Sequence, residues 1–211
     1  MSHQSLPWHS NVPAAATGPR IALIHGLMAG KHMERHLLHF LREAGYADTS
    51  LYSNHLNPTR IADDLALAAK AGRPIVLVGY SQGGSQVLKV AKLLSKRGID
   101  TELVVSLAAG GLGRFYFPQW GFDMRRIPAG IKRYLNYFAA KDVLGTDLRH
   151  DANLAHALSR DTHLENIGYP VSAGVDHFKI VTCYPEQRVL PEVRALFLDR
   201  LLAELAQLKS L

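Results

Sequence analysis

The chain has a single cysteine, Cys183, so no internal disulfide can staple it, and nothing in its cysteine usage points to an oxidising compartment. Beside Val181 and Thr182, that cysteine reads as a small buried hydrophobe rather than a nucleophile. The chain lacks an apolar run near the ~20 residues of a membrane span; its longest, around Ile75 to Val78, has the length of a strand. It lacks both G-x-x-x-x-G-K-[ST] and a G-x-G-x-x-G after a strand, so no phosphate cradle and no cofactor is expected. Internal repeats and low-complexity tracts are missing too. Although the formal charge is +6, the basic residues are scattered over predicted helices instead of clustering with aromatics. That pattern predicts a mildly basic solvated surface and no nucleic-acid partner. The first 19 residues lack a basic start and a continuous apolar stretch. They read as a loosely ordered lead-in, not a secretory signal, and a cytoplasmic protein is expected.

What is present is ordinary globular composition, with 47% hydrophobic and 20% charged residues. Residues 20–211 suffice for one domain burying roughly 70% of its unfolded surface. In order, Arg20 to His25 reads as a strand and Lys31 to Ala44 as a helix closed by Gly45. Asp48 to Ser53 reads as a weaker strand. Asn57-Pro58 caps a helix with Ile61, Leu65, Ala68 and Ala69 on its buried stripe. Pro74 to Val78 leads a strand into Gln82 to Lys96, a third helix. Thr101 to Ala109 and Arg133 to Ala139 are further strands, with a shorter one around Asn166 to Ala173, and Pro191 to Leu208 is the terminal helix. Strands alternating with helices predict an α/β fold: a mostly parallel sheet of about six strands, covered by helices on both faces. In such sheets reactive groups collect at the carboxyl ends of the strands.

The most informative stretch is PIVLVGYSQGG, from Pro74 to Gly84. A strand runs into Gly79-Tyr80-Ser81-Gln82-Gly83, and a helix follows at once. Glycines two residues either side of a serine suit a sharp strand-to-helix elbow, where a Cβ would crowd the neighbouring backbone and the hydroxyl is left exposed. A serine needs a base, and the base needs a third group to hold its tautomer. Asp142 follows the strand that ends at Ala139, and His177 follows the last short strand. Asp147 and Asp151 on the same loop are rival acids. Asp176 adjoins the histidine but would diverge from it, and His163 is the competing base.

The order Ser, Asp, His around G-x-S-x-G, with His25-Gly26-Leu27 after the first strand, resembles the α/β-hydrolase family, in particular its small esterases and lipases. The resemblance runs from Arg20 to the end. It implies that backbone N–H groups of Leu27 and Gln82 form an oxyanion hole. It further implies a serine hydrolase of carboxylic esters working through an acyl-enzyme, with no metal. An acyl-thioesterase or acyltransferase on the same residues, and a binding module without turnover, are the alternatives. The elbow also looks like that of cutinases, which are secreted and disulfide-bonded, and that of acyl-protein thioesterases, whose His-Gly loop lies farther upstream.

Two other features have their own readings. His32, His36 and His39 share a flank of the first helix, but Met33 breaks the H-E-x-x-H register, so solvated side chains rather than a zinc site are expected. Residues 110–132 form an irregular stretch with Phe115, Tyr116, Phe117, Trp120 and Phe122. It reads as a flap or acyl-binding wall over Ser81, or as a loop packing against the domain, and is too short to be a separate cap domain.

Overall fold

A computed structural model describes residues 17–111 and 123–209. Strand β1 (Arg20–His25) is buried at all six positions, as is β3 (Ile75–Tyr80). Ile21 to Ile24 and Ile75 to Val78 are the apolar runs within them, because a parallel sheet covered on two sides has no wet face. With β2 (Thr49–Ser53), β4 (Thr101–Leu107), β6 (Ile131–Ala139) and β8 (His163–Tyr169), they form a six-stranded sheet in the order β2-β1-β3-β4-β6-β8. Every pair in it is parallel.

Successive residues of β1 face opposite layers. Ile21 and Leu23 join Met33, Leu37, Phe197 and Leu201 in one core, and Ala22 and Ile24 join Ile61, Leu65, Leu88 and Ala91 in the other. The first core is closed by two helices. One is α1, which runs Gly30–Met33, through a π-helical turn Glu34–Leu38, into His39–Glu43. The other is terminal and is designated α4: Pro191–Val193, a π-helical turn Arg194–Leu198, then Asp199–Leu208. The second core is closed by α2 (Pro58–Lys70) and α3 (Gly83–Ser95). Asn57 caps α2 by accepting the Thr59 N–H at 2.9 Å, with Pro58 in the first turn, where its missing N–H costs nothing.

Because the strands are parallel and in register, Tyr80 beside Leu107 and Ala139 beside Tyr169, their carboxyl ends share one edge. The opposite edge is tied by charge: buried Arg20 bonds Asp48 at 3.0 Å and Asp64 at 2.7 Å, and Arg73 reaches the same Asp48.

Several expectations shift in detail. The last strand begins at His163 and stops at Tyr169, not Asn166 to Ala173, because Pro170 cannot donate to a ladder and Val171–Ala173 is a 3-10 turn. As the edge strand, with His163 and Gly168 exposed, it carries no apolar run to mark its start. Within the stretch expected to be irregular, β5 (Arg126–Ile127) pairs with β7 (His156–Ala157) in a second, two-stranded sheet. Two-residue strands have no periodicity to read. The aromatic segment Phe115 to Phe122 lies outside the described residues, as does most of the N-terminal lead-in.

α3 crosses β1 at close quarters. A Cβ on Gly83 would lie 2.0 Å from the Ile24 carbonyl oxygen, which is backbone and cannot swing away. Gly83→Ala is therefore expected to cost at least about 2 kcal/mol through overpacking. An unchanged urea midpoint would show that the elbow is looser than described.

Candidate active site

Ser81 sits between β3 and α3 with φ 55, in the left-handed region. A side chain there costs about 1–2 kcal/mol, so the conformation persists only where neighbours impose it. They do so from both sides: its N–H donates to Leu107 O at 2.8 Å, and its carbonyl accepts from Gly84 N at 2.9 Å. Gly26, from the loop after β1, presses against the elbow so closely that a Cβ would meet Ser81 Cβ at 2.6 Å and Gln82 N at 3.0 Å.

His177 lies eight residues past Tyr169, on a loop shaped by its own turn bonds. Asp176 Oδ1 accepts from Phe178 N at 3.1 Å and from Lys179 N at 2.9 Å, and buried Val175, Ile180 and Val181 fasten the loop to the core. The imidazole is thereby held with Nε2 3.1 Å from Ser81 Oγ and Nδ1 2.8 Å from Asp142 Oδ2. Asp142 is buried. Its other oxygen accepts the N–H groups of Leu144 and Gly145, both at 2.9 Å, which fixes the carboxylate plane. A carboxylate only accepts, so Nδ1 carries the proton and Nε2 turns a lone pair to the serine. This is the arrangement by which an imidazole can withdraw a hydroxyl proton.

The rival residues are engaged elsewhere. Asp147 Oδ2 accepts from Gly111 N at 3.3 Å, Asp151 is exposed beside His150, Asp176 is spent on its own turn, and His163 pairs with Glu165 at 3.3 Å. Leu27 is half-exposed on the loop that follows Gly26. The Gln82 side chain accepts from Asn54 Nδ2 at 2.8 Å, which ties it to the end of β2.

The three helix histidines have three different partners. His32 Nε2–H donates to Phe178 O at 3.2 Å, and exposed His39 pairs with Glu43 at 3.1 Å. His36, expected to be solvated, is buried instead: its Nδ1 accepts the N–H groups of Cys183 at 3.3 Å and Tyr184 at 3.2 Å. The π-helical turn of α1, invisible to a 3.6-residue count, carries this imidazole. No cluster among the described residues could hold a metal ion. Cys183 lies in the core, where burial pushes its thiol up to about 12.

The motif reading had no role for Tyr80, which is fully buried and donates its hydroxyl to His177 O at 2.7 Å. Nor did it anticipate the exposed apolar residues that flank the site residues along the chain. Leu27 and Met28 follow Gly26, Val143 and Leu144 follow Asp142, Phe178 follows His177, and all five are exposed. A cavity of about 340 Å³ lies beyond the acid, lined by Phe138, Val143, Leu148 and Tyr169 among others. Neither Ser81 nor His177 lines it.

Solved structures with similar architecture include an esterase/lipase from an uncultured bacterium, at TM-score 0.58 and 15% identity over 93% of this chain and 78% of that one. The RedJ thioesterase of the prodiginine pathway in Streptomyces coelicolor aligns at TM-score 0.55 and 14% identity, over 93% and 96%. The fold is the α/β-hydrolase fold. Human thioesterase 2 shares it at TM-score 0.51 and 11% identity, covering 91% of this chain and 98% of its own. No protein-family model and no curated protein matches the sequence. At these identities the likeness extends to the α/β-hydrolase architecture alone. No helix among the described residues is long and apolar enough to cross a membrane.

Burial lowers the His36 pKa to about 4, helped by His32 and Arg35, against ~6.5 in an unfolded chain. The folded state therefore resists protonation. Its contribution is complete above pH ~6.5 and is lost as pH falls towards 4. His36→Gln keeps an acceptor but no titrating group. Its urea midpoint should fall less than the wild type's between pH 6.5 and 4; equal falls would contradict the buried neutral imidazole.

Proposed function

We propose that the protein is a serine hydrolase that cleaves carboxylic esters by two-step acyl transfer. The observation that carries this reading is the continuous hydrogen-bond chain from Ser81 Oγ through His177 to buried Asp142, at 3.1 and 2.8 Å. His177 Nε2 takes the hydroxyl proton as Oγ attacks the acyl carbon, and Asp142 stabilises the imidazolium that results. The proton then passes to the leaving alcohol. Water, activated by the same imidazole, releases the acid and restores Ser81.

The tetrahedral intermediate needs donors aimed at its oxyanion, a role assigned here to the N–H groups of Leu27 and Gln82. The close approach of Gly26 to Gln82 N supports it, because that contact brings the loop of Leu27 against the first turn of α3. The exposed apolar residues beside Gly26, Asp142 and His177 favour an apolar acyl group over a strongly charged one. A thioester is the second reading, favoured by two thioesterases among the structural neighbours. The residues would play the same parts with a thiol as the leaving group. The chemistry uses no cofactor, and a cytoplasmic setting agrees with the one buried, unpaired cysteine.

A series of p-nitrophenyl esters from acetate to palmitate, with a thioester and an amide beside it, tests the reading. Short or medium esters should be turned over, and Ser81→Ala should lose at least about three orders of magnitude in kcat. Equal turnover by Ser81→Ala would remove the serine from the mechanism. Faster turnover of the thioester than of its matched ester would select the second reading. Asp142→Asn should lower kcat at least about 100-fold while Asp147→Asn stays within about threefold. The reverse result would transfer the acid role to Asp147.

A further inference from the structure

His177 hangs from a loop whose chain neighbours in the core are Val175 on one side and Ile180 and Val181 on the other. Burial of those side chains fixes the loop as a whole, but not the peptide that carries the imidazole. Within the loop, Phe178 N donates to Asp176 Oδ1 at 3.1 Å and Thr182 Oγ1 donates to Phe178 O at 3.0 Å, and two further polar contacts tie this backbone to other elements. Phe178 O accepts from His32 Nε2 at 3.2 Å, and His177 O accepts from Tyr80 Oη at 2.7 Å. The second has a particular geometry: Tyr80 is the residue immediately before Ser81, on a central strand whose register with β4 ends at Leu107. Its ring also lies against the His177 ring, centroids 5.1 Å apart and planes 35° apart.

We infer that Tyr80 is a positioning residue: its hydroxyl bolts the backbone of His177 to the strand end that carries Ser81, so nucleophile and base are held by one rigid element. The inference rests on the serine-hydrolase reading for what it does to turnover, though the contact itself does not. The imidazole has to satisfy Ser81 on one nitrogen and Asp142 on the other. A rotation of the 177–178 peptide would shift the ring out of that two-sided geometry, and displacements of about 1 Å at such a site can cost ~100-fold in rate. Burial, with the charges of Asp142 and Asp176, keeps the phenol protonated well beyond its ordinary range, so the donor is constant wherever the protein is folded. The middle residue of Gly79-Tyr80-Ser81 thus has a job that the glycine-serine pattern alone does not disclose.

Tyr80→Phe removes the donor and keeps the ring. Tyr137→Phe is the matched control: it too is buried, and its hydroxyl donates to a backbone carbonyl, Leu196 O at 2.8 Å, on the terminal helix instead of the His177 loop. Both variants should lose similar thermal stability. Only Tyr80→Phe should lower kcat, by about 10- to 100-fold with KM within about twofold, and Tyr80→4-aminophenylalanine, which restores an N–H donor, should recover most of the loss. A readout that needs no substrate is the far-downfield proton resonance of the His177 Nδ1–H shared with Asp142. It should weaken or shift in Tyr80→Phe and stay in place in Tyr137→Phe. Wild-type kcat and an unmoved resonance in Tyr80→Phe would overturn the inference and leave the hydrolase reading standing, and equal losses in both variants would overturn it too. If the wild type turns over no ester or thioester yet only Tyr80→Phe moves the resonance, the hydrolase reading fails and the positioning role stands.

Discussion

Ser81 is held in a left-handed conformation between a strand and a helix, and the surrounding chain is packed to keep it there. The elbow can turn that sharply only if α3 lies directly over β1, which is why Gly83 touches the carbonyl of Ile24 and Gly26 touches Ser81 itself. Those contacts admit no methyl group. They also bring the loop after β1 beside the Gln82 amide, so two separate segments meet in a single small volume around the strained residue. The serine therefore depends on the sheet for its conformation as well as its position.

The rest of the site follows from the parallel sheet. With all strands pointing the same way, the loops after β1, β3, β6 and β8 open at one edge, and each contributes to the cluster. Asp142 comes three residues after its strand and is locked by two backbone N–H groups. His177 comes eight residues after its strand and needs more restraint. Its loop receives that from buried Val175 and Ile180, from Tyr80, and from α1 through His32 and His36. Buried charge with a purely structural role is kept at the other edge, where Arg20 joins Asp48 and Asp64. The two kinds of polar group are separated by the length of the strands.

How much was legible in the sequence differs by element. β1 and β3 could be read because a doubly covered strand is buried at every position and carries a short apolar run, Ile21 to Ile24 and Ile75 to Val78, and α2 because Asn57-Pro58 marks its start. The edge strand β8 was misplaced by three residues at its start, since one of its faces is wet and its sequence is polar. The π-helical turn of α1 and the pairing of β5 with β7 left no trace in periodicity. In the site, Ser81 was marked by its flanking glycines, whereas Asp142 and His177 could be named only by order along the chain. The distances that join them are set by packing between segments 35 and 96 residues apart. Tyr80 was hidden because nothing local distinguishes a tyrosine that fills the core from one that also holds a distant carbonyl.

The central claim is that Ser81 is a nucleophile activated by the folded arrangement around it. The most direct measurement is labelling of the purified protein by a fluorophosphonate probe, followed by intact-mass and peptide mapping. The account predicts one adduct on Ser81 in the folded wild type, and none in Ser81→Ala or in urea-unfolded protein. A folded wild type that stays unlabelled, or an adduct that maps to another residue, would contradict it.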